Sequence, residues 1–136
     1  MWAFKRVRAK LKSRCGMSQY LEFMIALMML LTLIATGIET WGVLSLKKGI
    51  EDTATETARY IELRGAVDSA VYDEFNRLRS VTGIDGELSV EGDFYSGKKL
   101  QLEAPFTVTV SAVGHLFYLD VPLKAKATGR SEVYHK

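Results

Sequence analysis

The chain is poor in the residues that most often carry site chemistry. It has one cysteine, Cys15, in 136 residues, so no intrachain disulfide can form and the fold must hold by packing. Its two histidines, His115 and His135, fall in a predicted turn and in the tail, and neither has a metal-ligand companion at useful spacing. No glycine-rich phosphate loop precedes a predicted helix; the stretch Gly83 to Glu87 reads only as a turn. The serines stand in no visible Ser/His/Asp arrangement. Aspartates and glutamates are plentiful, but their spacing puts them on solvated helix faces or in turns. With no residue set for catalysis, metal binding or a cofactor, an enzyme is not expected.

Acid is also missing from one end. Residues 1–16 hold six basic side chains (Lys5, Arg6, Arg8, Lys10, Lys12, Arg14) and no carboxylate, leaving 12 of the 18 basic residues to share the remainder with all 16 acids. The formal net charge of +2 therefore hides a cationic tip on a chain that is otherwise net −4. A basic tip could serve nucleic acid, but beside an apolar helix its expected role is to hold the N-terminus in the cytoplasm, and nucleic acid is not an expected partner.

What is abundant is apolar and contiguous. From Tyr20 to Leu46 only Glu22 and Glu39 are charged. The uninterrupted core Phe23–Ile38, at a helical rise of 1.5 Å per residue, covers roughly 24 Å of a bilayer core about 30 Å thick. The flanks extend it: Tyr20 and Trp41 supply amphipathic rings suited to the two interfaces, Val43, Leu44 and Leu46 continue the apolar path, and Lys47 and Lys48 end it. Positive-inside asymmetry places Arg14 in the cytoplasm and Lys47 outside, two lysines being outnumbered by six basic residues. A cleaved secretory signal is the competing reading, but the run is long for one and no Ala-x-Ala site follows it. Cys15 is a candidate for palmitoylation or simply a cytosolic thiol. Met24, Met28 and Met29 read as lipid or helix packing.

Glu22 is the exception inside this segment. An ionised acid at full membrane depth costs about 2.5–3.5 kcal/mol and less near the interface, so it usually has a partner or a task. One reading places it at headgroup level, favoured by the positive end of the helix dipole. The other comes from the order basic run, Gly16, Glu22, Phe23, apolar helix. That order resembles the N-terminus of class III signal proteins: type IV pilins, pseudopilins and the TadE-like proteins of tight-adherence pili. The resemblance implies cleavage by a prepilin peptidase between Gly16 and Met17, and a role for Glu22, with Phe23 beside it, in setting helix register during assembly with other pilin-like subunits on an assembly platform. Here Glu22 lies six residues after Gly16, where those families place it five after.

From Ile50 the pattern becomes amphipathic. Ile50, Ala54, Ala58, Ile61, Val67, Val71, Phe75 and Leu78 fall near a 3.6-residue period, with charges on the other faces. Gly49 is expected to kink or end the membrane helix, Gly65 is a second weak point, and Gly83 is the stop. Helix is predicted over most of residues 19–80, in one bent piece or two. Ala58-Arg59-Tyr60 resembles the segment after the membrane helix in TadE-like proteins. The remainder alternates as strands: Glu87–Phe94, Leu100–Val113 with Pro105 at a bulge or edge, and Phe117–Lys126, with turns at Gly97 and Gly114. The C-terminal sheet and tail resemble a TadE-like group from mobile elements of Gram-positive bacteria that has no settled function.

The expectation is an α+β protein: a basic cytoplasmic leader (1–16), a transmembrane helix (17–48) and an extracytoplasmic domain (49–136). In that domain an amphipathic helix covers one face of a three- to four-stranded antiparallel sheet, as in pilins. The expected place is the cell membrane, single-pass, with the C-terminal domain at the cell surface or in a pilus. The expected role is a pilin-like subunit of a pilus, secretion or conjugation machine, or else a permanently anchored accessory or binding protein.

Overall fold

A computed structural model describes the backbone of residues 2–95 and 97–133, with side chains from Gly16 onward. Arg14, Cys15 and His135 therefore lie outside the described side chains. The chain divides into two compact units, Met1–Glu39 and Thr40–Lys136. One helix, α1 (Trp2–Arg64), contributes to both, and the sequence boundaries at 16/17 and 48/49 fall inside it.

In the first unit α1 is made of strong helix formers, and its side chains from Gly16 to Glu39 are exposed all round. Its hydroxyls are turned inward on the backbone: Thr32 Oγ1 donates to the Met28 carbonyl and Thr36 Oγ1 to the Thr32 carbonyl, each at 2.8 Å. That back-bonding leaves no unpaired donor from these two side chains in an apolar medium.

In the second unit the same helix becomes amphipathic. Ile50, Ala54, Ala58 and Ile61, spaced four, four and three residues apart, are all buried, together with Thr53 and Thr57, whose hydroxyls donate to the carbonyls four residues back. Gly49 does not end the helix. Its missing side chain makes room for Ile84, whose Cδ1 would lie 2.9 Å from a β-carbon there. The break comes at Gly65 instead (φ +66), and Ala66 bridges to Lys99. Asp68 then caps α2 (Ser69–Thr82) by accepting from the Val71 N–H, and Gly83 closes α2 in the left-handed conformation (φ +67). The two helices bury six of the eight predicted face residues, Val67 is buried in the link between them, and Leu78 is half-buried.

The strands are β1 (Gly86–Gly92), β2 (Phe94–Tyr95), β3 (Lys99–Leu100), β4 (Pro105–Leu116) and β5 (Leu119–Arg130). They form a three-stranded antiparallel sheet in the order β1-β4-β5 and a small β2-β3 hairpin. Pro105 stands at the first residue of β4, where no earlier ladder bond is lost. Along β4, Phe106, Val108, Val110, Ala112 and Gly114 are buried and the intervening residues are not. This inner face joins Val71, Phe75, Ile84, Leu100 and the α1 face in one core. Full burial of each larger aliphatic or aromatic side chain contributes about 1.5–3 kcal/mol.

One of the two expected glycine turns differs. Gly97 does mark a turn (φ +74), but Gly114 lies within β4, opposite Val121. A β-carbon at Gly114 would meet Leu123 at 3.3 Å, Leu46 at 3.4 Å and Val43 at 3.7 Å, so this glycine serves close approach of sheet to helix. The chain reverses instead at Phe117-Tyr118, between paired Leu116 and Leu119, with Phe117 at φ +54. Phe117 and Tyr118 are thus turn residues and not strand, and His115 is strand and not turn.

Candidate functional site

The apolar segment of α1 carries the residues that the sequence singles out. Met17 (72% exposed), Tyr20, Phe23 and the aliphatic residues that follow are uncovered within their unit, and Trp41 (73%) and Leu44 are uncovered in the second. This helix is long and apolar enough to cross a membrane, with mean hydropathy 2.2 in its most apolar window and none of that window buried. Apolar surface of this extent, exposed on every side, is what a soluble domain avoids and what a lipid or helix neighbour covers.

Within the segment Glu22 and Phe23 are consecutive and exposed, and Glu22 has no hydrogen-bond or ion-pair partner among the described residues. Gly16 and Met17 lie inside α1, so a peptidase cutting between them would have to unwind helical backbone locally. Lys47 sits 3.9 Å from Glu51 one turn on, both half-exposed, which is a weak surface pair. Tyr20 and Trp41 stand near the two ends of the apolar run, as expected of interface residues. Arg14 belongs to α1 by its backbone.

The second unit carries an open depression of about 730 Å³, bordered by Glu62, Glu103, Pro105 and Arg130. Glu62 acts there as a latch: its Oε1 accepts from the Arg130 N–H (3.1 Å) and its own carbonyl accepts from the Glu132 N–H (3.1 Å). The last turn of α1 is thereby fastened to the end of β5. No group of three or more His, Cys, Asp or Glu side chains among the described residues could hold a metal ion.

Two polar arrangements escaped the sequence. Arg64 forks onto Asp68 (Nε at 2.9–3.1 Å, Nη2 at 2.7 Å) and lies over the Tyr60 ring at 5.9 Å. Hydrogen bonding from Arg64 holds the Asp68 carboxyl below its ordinary value, and the same bond raises the guanidinium. The other is His115 Nδ1 against Asp120 Oδ1 at 2.6 Å, a cross-strand pair exposed on the outer face. It was hidden because the register of a hairpin turning at Phe117 was not readable. Both arrangements fasten the chain locally, and His115 also borders a depression shared with Arg79, Glu87 and Lys124.

The structure thus defines an α+β protein with one helix fit to cross a membrane and a small head whose surface is shallow. The model of the family described as Domain of unknown function (DUF4320) matches residues 23–136, and the chain belongs to that family. Trp41 and Lys47 lie within the matched region; Arg14, Gly16, Met17, Tyr20 and Glu22 precede it. No curated protein and no solved structure matches the chain.

Proposed function

We propose that this protein is a membrane-inserted, pilin-like subunit, TadE-like in its N-terminal organisation, that assembles through its apolar helix into a pilus, secretion or conjugation apparatus. The observation that carries this reading is the apolar surface of α1, exposed on all sides from Met17 to Glu39 among the described residues. A helix of this kind can exchange lipid for neighbouring helices at little cost in apolar burial, because lipid and helix packing cover the same surface. An unpartnered Glu22 at its cytoplasmic end then favours the packing register that gives it a cation, the new N-terminal amine of a neighbour being the nearest source after cleavage. In this proposal the leader is cytoplasmic, the head is extracytoplasmic, and the partners are the bilayer, other copies or related subunits, an assembly platform and a prepilin peptidase.

Intact-mass measurement of the protein recovered from membranes tests the proposal. The expected mature chain begins at Met17. Recovery of the full basic leader from the functional assembly would instead support a permanent anchor with an exposed head, the reading favoured by the six-residue spacing from Gly16 to Glu22. Glu22→Ala should insert at least as well as the wild type and assemble less. Assembly indistinguishable from wild type would remove Glu22 from the mechanism.

A further inference from the structure

The β4-β5 hairpin ends in a tip that the core does not use. Phe117 is 53% exposed, Leu119 67% and Tyr118 fully exposed, with Val113 and Pro122 also uncovered just behind them. The tip is unusual in chemistry as well as exposure. Phe117 occupies φ +54, a region that glycine or asparagine adopts readily and a bulky aromatic does not. Phe117 and Tyr118 stand outside the core, in a two-residue turn that neither is suited to.

The position of the tip along α1 is fixed by contacts within the second unit. At one end of β4, Phe106 and Glu62 both crowd Gly129. At the other, Leu46 and Val43 crowd Gly114. The path from Phe106 to Gly114 is ~26 Å at strand rise, and from Glu62 back to residues 43–46 it is also ~26 Å at helical rise. The strand therefore runs nearly parallel to the helix axis, toward its N-terminal end. Three more residues carry the turn ~10 Å past Gly114, to and beyond the level of Trp41. Trp41 is itself the exposed aromatic at the outer end of the apolar run.

The geometry points to the Phe117-Tyr118-Leu119 tip as a second membrane contact, a shallow wedge that enters the outer interface of the bilayer beside Trp41. The inference rests on the membrane-inserted reading of α1 and goes beyond it. The lipid interface is the occupant because the aromatics share the level of an interfacial tryptophan on the same compact unit, and because amphipathic rings gain most at that depth. His115 and Asp120, paired at 2.6 Å just behind the tip, would lie among the headgroups and keep the wedge shallow.

Depth-dependent quenching in phosphatidylcholine liposomes tests this on the full chain. Single cysteines replacing Tyr118, Met29 or Thr109 are introduced into a Cys15→Ser background and labelled with an environment-sensitive fluorophore. The label at 118 should be quenched about twofold by lipid bearing a nitroxide near the headgroup end of its acyl chain, the depth of an interfacial anchor. The label at 29 should respond to a nitroxide at the chain end, and the label at 109, on the outer sheet face, to neither. A label at 118 that is quenched by aqueous iodide and not by lipid, while 29 responds to lipid, overturns the wedge and leaves the anchor standing. Shielding of 118 from both quenchers overturns it in favour of a protein cover such as a second copy. No lipid response at 29 overturns the anchor and the wedge together. In Phe117→Asn/Tyr118→Ser, whose turn chemistry is more favourable and whose melting should not fall, a label at Leu119 should lose its lipid quenching. Retained quenching there would show that the aromatics do not make the contact.

Discussion

At the residue scale, the sharpest constraint in the head is the space denied to a side chain at Gly129. A β-carbon there would meet Glu62 Oε1 at 2.5 Å and Phe106 Cζ at 2.6 Å. Phe106 is locked in the core and Glu62 is bonded to the Arg130 N–H, so neither yields freely. Gly129→Ala is expected to lower stability by about 1–3 kcal/mol through overpacking, read as a loss in the denaturant midpoint of detergent-solubilised protein. Gly49 makes the contrast. Its nearest neighbour is the flexible end of Ile84 at 2.9 Å, and the position is mid-helix, where alanine is favoured over glycine by about 1 kcal/mol. Gly49→Ala should therefore be neutral or slightly stabilising in the same measurement. The difference between the two glycines lies in their neighbours, which the sequence does not show.

At the scale of elements, the junction between α1 and α2 depends on one carboxylate. Asp68 caps α2 through the Val71 N–H and receives the Arg64 fork. Asp68→Ala should cost about 1 kcal/mol from the cap, visible as a lower melting temperature. The pH dependence has a definite sign. Arg64 depresses the folded-state pKa of Asp68 below 3.8, so its contribution is fully present above the unfolded value and is lost as pH falls through the folded one. Acid titration of wild type should show this loss below about pH 4, and Asp68→Asn should flatten that part of the profile. Legibility was uneven among the elements. The apolar spacing of Ile50 to Phe75 located the helical core face, and alternation located β1 and most of β4. The β4-β5 turn was misplaced because Gly114 carries the usual signal for a turn while Phe117 carries none. The physical requirement at Gly114 was room for Val43 and Leu46, contacts that join residues about seventy positions apart.

At the scale of the whole molecule, the exposed apolar surface of α1 sets the behaviour in solution. The full chain should fractionate with membranes and require detergent for extraction; recovery as a soluble monomer would contradict the membrane reading. Under the proposed topology, protease added to intact cells or right-side-out vesicles should reach the head. The depression beside Glu62 is open, and the carboxylate that borders it is already bonded to the Arg130 N–H. Under the proposed function the working surface is the helix and, under the wedge inference, the hairpin tip at the level of Trp41.

The apolar run, its cationic tip, the amphipathic continuation and the alternating strands were determined by the order of residues alone, because each depends on neighbours one to four positions apart or on bulk composition. Where a helix breaks, which glycine is a turn and which is a contact, and that Glu62 holds the end of β5 were decided only in three dimensions. Those outcomes depend on which distant atoms occupy the last few ångströms beside a backbone, and a linear pattern carries no measure of that distance.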